Sequence, residues 1–308
     1  MSWIEPPADF DPWSLAEFIE AELLFTSDDY LSLTEIRVLF ASGLQPTEEE
    51  LAFAFMEIER RSQNWGEHYP FLSDGRGVLI ERNSSTLYAF LLLMSLKGMP
   101  VRQSAAEIQR SDPLFDAVVR EAFASHLGGQ SVVFAWPSRG DRPKEFPDAV
   151  EWVAGKMGLE LRNKGAVPTE PHDAGVDVIA WKAFTDKRTG FNTFLVQNTV
   201  QWEFRKKPRD VIPTMWFEWI TWTALPSVGF AIPFAMPLGD PWWKYVTSET
   251  TIVMDRGRLL EALDGVEPTG WAEWQRFNDF VSAQLEAARI RGDAAPAVPR
   301  PRGRRKKS

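Results

Sequence analysis

Apolar residues in the first part of the chain recur at helical spacing. Over residues 15–24 they are separated by three or four positions, as on one face of an α-helix. In Thr47–Leu51 a threonine precedes three glutamates, which is typical of a helix N-cap followed by an acidic first turn. Residues 84–96 are largely apolar and predict a further compact helix. We therefore expect a mostly α-helical domain over residues 1–111, with one short strand pair around residues 73–77.

The pattern changes near residue 112, where short apolar runs rich in β-branched residues begin to alternate with helical stretches. We expect helices over residues 113–126, 146–156 and 270–290, and strands over 131–136, 176–184, 192–200 and 229–236. Residues 185–190 are rich in turn formers and should join the two middle strands as a hairpin. The pattern therefore predicts an α/β domain over residues 112–290.

The amino-acid composition limits the cellular compartment that we expect for the protein and the kinds of catalytic or metal site that it can contain. The 308 residues contain no cysteine and three histidines, which excludes disulfides, thiolate metal sites and cysteine nucleophiles, and disfavours a metal site built from several histidines. No apolar run approaches the roughly 18–20 residues that cross a bilayer, and no secretory signal pattern is visible. We expect a cytoplasmic protein with no membrane contact.

Charge is unevenly distributed along the chain. Its net value is −9, yet Arg289–Ser308 contains eight lysines and arginines against one aspartate. Residues 291–308 are also rich in proline and predict a basic disordered tail. Such a tail can attract phosphates without folding, although a merely solvated terminus is the plainer interpretation.

The segment with the clearest chemical pattern is the expected hairpin. Asp177 begins one strand within Gly175-Val-Asp177, and Gln197 lies twenty positions later, near the end of the next strand. Antiparallel strands can bring such positions together. A carboxylate and an amide oxygen can hold a hard divalent cation, which polarises a phosphoryl oxygen and lowers the pKa of a bound water.

These residues resemble the PD-(D/E)XK nuclease superfamily, in particular the Mrr-type restriction endonucleases, in which Gly-x-Asp precedes Gln-x-Lys by about twenty residues. The resemblance covers residues 145–236. It implies a restriction-endonuclease-like core, with a mixed sheet flanked by helices, that acts as a metal-dependent DNA endonuclease. It further implies Mg²⁺ or Mn²⁺ as cofactor, a bacterial restriction or anti-phage setting, DNA as a partner, a protein partner in a defence complex, and a homodimer.

The resemblance also assigns roles to individual residues. Asp177 is expected to be the principal metal ligand, and Gln197 a second ligand or an orienting residue. Glu151, on the expected helix 146–156, is a candidate third ligand. Thr199 stands where the family has its lysine, so Lys206 is the candidate for a displaced catalytic lysine, with Lys207 and Arg205 as alternatives.

Two other interpretations stay open. The chain could be a catalytically inactive nuclease-fold subunit that binds a protein or nucleic acid, or an unrelated α/β protein whose motif is coincidental. The spacing of Trp216 and Trp219, and of Trp271 and Trp274, indicates core or interface residues. Stacking of bases or sugars on exposed tryptophans is the alternative.

Overall fold

The structure is a computed structural model. Its helices and strands determine where the candidate site residues lie. It describes residues 6–40, 44–81, 86–96, 105–169, 172–201, 203–207 and 210–294, without the side chains of 105–111, 164, 206 and 288–294. The helices are α1 (Pro12–Phe25), α2 (Leu33–Leu39), α3 (Glu48–Asn64), α4 (Thr86–Ser95), α5 (Ala105–Leu127), α6 (Phe146–Met157), α7 (Pro213–Trp219), α8 (Pro241–Glu249), α9 (Arg256–Ala262) and α10 (Trp274–Ala294). The strands are β1 (Tyr30–Ser32), β2 (Phe71–Ser73), β3 (Gly77–Ile80), β4 (Gln130–Val133), β5 (Val178–Trp181), β6 (Thr193–Asn198), β7 (Ser227–Ala231) and β8 (Ile252–Met254).

The N-terminal region is mostly helical, as its apolar spacing predicts. Thr47 caps α3 with a capping box, in which its side chain accepts from the Glu50 N–H and the Glu50 carboxylate accepts from the Thr47 N–H. The expected strand pair around residues 73–77 is present as β2 and β3. A third strand, β1, pairs antiparallel with β3 on its other side and was not expected.

The larger sheet has five strands in the order β4-β5-β6-β7-β8. The first two pairs are antiparallel and the last two are parallel, so the sheet is mixed. The predicted hairpin is confirmed, with Val178 opposite Val196 and Trp181 opposite Thr193. The expectation of an α/β region with a mixed sheet flanked by helices is therefore confirmed at this level.

Alternation along β6 separates the two faces of this sheet. Val196 belongs to a core that includes α5 and the N-terminal helices, whereas Leu195 belongs to a second core built on α6 and α7. A third cluster packs α8 against β7 and β8. The predicted tryptophan pair Trp216 and Trp219 is buried in the second core, which confirms the core interpretation.

The first core is continuous from α1 to α10. It joins the apolar faces of α1, α3 and α4 to those of α5, α9 and α10. The predicted domain boundary between residues 111 and 112 lies inside α5. Most of the expected basic tail, residues 295–308, lies outside the described residues.

A buried network of arginines and glutamates ties the two ends of this core together. We call it the Arg–Glu network; it consists of Glu17, Glu20, Arg61 and Arg256. The Arg61 guanidinium donates to Glu17 at 2.6 Å and to Glu20 at 3.0 Å, and the Arg256 guanidinium donates to both Glu17 oxygens at 2.9 and 2.8 Å. Both arginines are fully buried. Two cations thus face Glu17 and Glu20 where α9 meets α1 and α3, and Glu57 of α3 also pairs with Arg61 at 2.9 Å.

Several elements differ from the sequence-based expectation. Strand β4 ends at Val133 and is a half-exposed edge strand, not the buried strand expected over 131–136. Helices α7, α8 and α9 were not predicted, because they are short. Of the helices in the described ranges, none is long and apolar enough to cross a membrane.

Candidate active site

Asp177 lies where the ends of three strands meet. Its backbone carbonyl accepts from the N–H groups of Phe134 and Ala135 at 2.7 and 3.0 Å, just beyond β4. Its own N–H donates to the Val196 carbonyl at 2.8 Å, and its carboxylate accepts the Asn198 N–H at 2.7 Å. Asp177 therefore flanks Gln197 on the neighbouring strand, which confirms the alignment that a hairpin of this length predicts.

The loop before Asp177 is held by the local chemistry of its sequence. Asp173 accepts the Gly175 N–H at 3.0 Å and the Trp136 N–H at 3.2 Å, one with each carboxylate oxygen. Gly175 has a φ of +75°, and a Cβ there would lie 2.8 Å from the Asp210 carbonyl oxygen. Only glycine meets both conditions without strain, so Gly175 sets the entry of the chain into β5.

A second carboxylate approaches from α5. Asp116 is 4% exposed; it accepts the Asn198 side-chain amide at 3.1 Å and pairs with Arg139 at 2.7 Å. Asp112 lies one helical turn earlier on the same helix, so both side chains lie on one face of α5. We call Asp112, Asp116 and Asp177 the aspartate cluster.

The aspartate cluster carries more negative charge than its surroundings neutralise. Burial raises the pKa of Asp177 well above its usual range, and the Asp116 carboxylate raises it further. Burial also raises the pKa of Asp116, despite its pairing with Arg139. Burial and the neighbouring Asp116 raise the pKa of Asp112 to about 6. Three carboxylates that resist ionisation together favour a bound proton or a cation.

Gln197 is buried and points away from Asn198, because neighbouring residues of a strand face opposite sides of the sheet. Its side-chain nitrogen donates to Asp210 at 2.8 Å, while its side-chain oxygen has no hydrogen-bond partner among the described residues. Thr199 is also buried, and its hydroxyl accepts the Gln201 N–H at 3.1 Å. No cation stands at the position of the family's lysine.

The other two predicted site residues are less closely defined. Glu151 lies on the exposed side of α6, a helix of the second core, whereas the helix acid that influences Asp177 is Asp116 of α5. The side chain of Lys206 lies outside the described part of the chain. Its neighbour Lys207 lies close enough to lower the pKa of both Asp112 and Asp177. The roles of Glu151 and Lys206 stay predictions.

Two buried oxygen atoms have no hydrogen-bond partner among the described residues: Asp112 Oδ1, one helical turn from Asp116, and Gln197 Oε1, on the strand beside Asp177. Unpaired buried oxygens suit a hard cation such as Mg²⁺. Within the described ranges, no three acidic or histidine side chains are arranged to hold a metal ion by themselves. An ion at this position would complete its coordination with amide or carbonyl oxygens, water or a phosphate.

Sequence reasoning missed Asp112, Asp116 and Asn198, and it considered Lys207 only as an alternative to Lys206. Asn198 and Lys207 are direct neighbours of predicted residues, so proximity along the chain was a usable signal. The i, i+4 pair on α5 was visible as spacing, but nothing local indicated that this face meets the end of β5. Comparison with known proteins finds no matching family model, no similar curated protein and no similar solved structure.

Proposed function

We propose that this chain is a metal-dependent DNA endonuclease that acts in a bacterial restriction or anti-phage system. The observation that carries the proposal is the aspartate cluster at the strand ends, where Asp177 is joined by Asp116 through Asn198. The motif Gly175-Val-Asp177 with Gln197 supplies the resemblance, and the mixed sheet flanked by helices is compatible with a restriction-endonuclease-like core.

The side chains of the site suit Mg²⁺ or Mn²⁺. Mg²⁺ is usually bound through one or two carboxylates together with water and substrate phosphate, so it does not require three acidic ligands. Asp177 and Asp116 would hold the ion, whereas Gln197 faces the other side of the sheet and donates to Asp210. When bound, the ion would polarise the scissile phosphate and activate a water. Lys207, whose charge lowers the pKa of Asp177, would stabilise charge developing on the phosphate.

The test is cleavage of supercoiled plasmid with Mg²⁺ or Mn²⁺. We expect nicking by the wild type and a loss of at least a hundredfold in Asp177→Asn and Asp116→Asn, because each removes a proposed ligand. Glu151→Gln separates the two helix acids: it should retain activity if Asp116 is the ligand. If Glu151→Gln loses nicking activity and Asp116→Asn retains it, Glu151 is the helix ligand, as the sequence predicts. Equal cutting by all variants would overturn the site.

The inactive binding module is the second candidate, and one observation favours it. Gln197 already donates to Asp210, and Thr199 replaces the family's lysine, so two positions of the motif do not present catalytic groups toward Asp177. Absence of cutting with either metal, together with DNA or protein binding, would select this function.

A further inference from the structure

One tryptophan beside the candidate site is exposed. Trp136 is 40% exposed, and its indole ring stacks on the imidazole of His172, with ring centroids 4.5 Å apart and planes inclined by 14°. His172 is itself exposed. Because the imidazole covers one face of the indole, the accessible part of Trp136 lies on the opposite face and the ring edge.

Backbone hydrogen bonds fix the two segments that carry these rings. The Trp136 N–H donates to Asp173, and the two residues before Trp136 donate to the Asp177 carbonyl. The backbone carbonyl of His172 accepts from Arg142 at 2.6 Å, and that guanidinium is 4% exposed and lies 4.4 Å above the ring centre of Phe134. An exposed aromatic pair on so fixed a base is preorganised for stacking, since little side-chain freedom is lost on binding.

The stacked pair adjoins the aspartate cluster. Ala135, the residue before Trp136, donates its N–H to the Asp177 carbonyl at 3.0 Å, so the backbone that carries the indole lies next to Asp177. Arg139, which pairs with Asp116, is 34% exposed on the same connection between β4 and α6 and is available to a phosphate. A flat ring surface, a cation and a metal position thus lie side by side.

We infer that Trp136, backed by His172, is a stacking platform for an unpaired base of a DNA strand whose phosphate lies at the aspartate cluster. This inference rests on the proposed function and names its substrate class. The faces of bases in a duplex are covered by their neighbours, so the platform accepts single-stranded DNA or a locally unpaired base. Stacking is tolerant of base identity, because every base has an aromatic face.

Binding of a labelled single-stranded oligonucleotide tests the platform directly. Fluorescence anisotropy is measured with Ca²⁺, which occupies oxygen sites of this kind and prevents turnover from obscuring binding. We expect Trp136→Ala to weaken binding about tenfold and Trp136→Phe to retain most of the affinity. Phe184→Ala, which removes an aromatic ring that is 62% exposed in the β5–β6 connection, is the matched control and should bind as the wild type does. Thermal unfolding of each variant checks the fold.

A single abasic position moved along the oligonucleotide identifies the stacked base. The wild type should bind more weakly when the abasic site is at one particular position. Trp136→Ala should show no such position, because its platform is already absent. Equal losses in both proteins, or unchanged binding by Trp136→Ala, would overturn the inference. In the latter case a protein partner would be the better occupant of this surface.

The outcomes also separate this inference from the proposed function. Metal-dependent plasmid nicking that depends on Asp177 but not on Trp136 keeps the nuclease and removes the platform. Base-dependent binding without cutting by any preparation keeps the platform and assigns it to a binding module. Absence of oligonucleotide binding by the wild type removes the platform, while nicking decides the nuclease independently.

Discussion

The molecule contains two groups of buried charges that are built in opposite ways. The Arg–Glu network sets two arginines against two glutamates. Burial raises the pKa of both glutamates; the charges of Arg256 and Arg61 outweigh burial at Glu17 and hold its pKa below the usual range, whereas the pKa of Glu20 stays raised. The aspartate cluster sets three carboxylates against Arg139 and Lys207, and the pKa of each aspartate is raised. A buried charge that is matched becomes costly when its partner is removed, whereas unmatched buried charge indicates a site that binds protons or ions.

Breaking the matched network should produce the largest loss of stability. In Arg256→Met the Glu17 carboxylate stays buried beside Arg61 alone, and we expect the free energy of unfolding to fall by about 3–5 kcal/mol. Urea unfolding measures this change. Arg37→Met is the control, because its pair with Glu48 has side chains 40% and 77% exposed, and should cost less than about 1 kcal/mol. If Arg256→Met lowers the free energy of unfolding no more than Arg37→Met does, the Arg–Glu network does not stabilise this junction.

Acidification should distinguish Asp112 of the aspartate cluster from Glu17 of the Arg–Glu network. The pKa of Asp112 is raised from 3.8 to about 6, so between these values the folded state binds more protons than the unfolded state. Stability from this residue should therefore increase as pH falls from about 7.5 to 5, by at most about 3 kcal/mol for a shift of about two units. The contribution of Glu17, whose pKa is lowered, is lost only when the pH falls below its unfolded value of 4.5.

Unfolding of wild type and Asp112→Asn across this pH range checks the assignment. The variant should show a weaker dependence on pH, because it lacks one of the carboxylates whose pKa is raised in the folded chain; Glu20, Asp116, Asp177 and Asp255 remain. Identical pH profiles for the two proteins would mean that Asp112 titrates normally in the folded chain.

Divalent cations should stabilise the aspartate cluster and leave the Arg–Glu network unchanged. At tenfold above the dissociation constant, Mg²⁺ or Mn²⁺ should add about 1.4 kcal/mol to the stability of the wild type. The effect should be larger at pH 8 than at pH 6, because the ligands must be deprotonated. Thermal unfolding with and without the metal measures it. Asp177→Asn should lose the gain and Arg37→Met should keep it; the same gain in Asp177→Asn would place the ion elsewhere.

The smallest expected change concerns the lysines. Lys207 lowers the pKa of Asp112, so Lys207→Met should raise that pKa further and move the pH dependence of stability to higher pH. Lys206→Met is the neighbouring control and should leave the pKa of Asp112 unchanged if Lys207 is the relevant cation. The reverse result would support the lysine assigned from the sequence. Carboxyl resonances followed by NMR during titration report both changes.

The local parts of the site were predictable from sequence, and the tertiary parts were not. Turn residues after β5 and the apolar runs on both sides specify the hairpin, and with it the proximity of Asp177 to Gln197. Which helix acid faces Asp177 depends on how α5 packs against the sheet, and no local pattern distinguishes Asp116 from Glu151. The direction of Gln197 follows from strand alternation, but its partner Asp210 comes from a separate loop.

The overall architecture shows the same division. Apolar periodicity predicts α1, α3 and α4 because each is long enough to show its spacing, while α7 and α9 span about two turns and leave too few positions for a pattern. Trp136 was missed for another reason. The sequence does not indicate whether an isolated tryptophan in a loop is exposed. Trp136 is recognised as a candidate stacking residue only from its contact with His172 in the structure.

The return of α9 and α10 to the N-terminal helices has a consequence for folding during synthesis. When α1 to α4 emerge from the ribosome, the apolar faces that α10 covers and the glutamates that Arg256 neutralises still lack these partners. All five strands of the larger sheet are synthesised before Arg256 is added to the chain. We expect the nascent N-terminal helices to remain accessible to chaperones until α9 leaves the ribosome. These helices can therefore complete their packing only after the whole sheet has been synthesised.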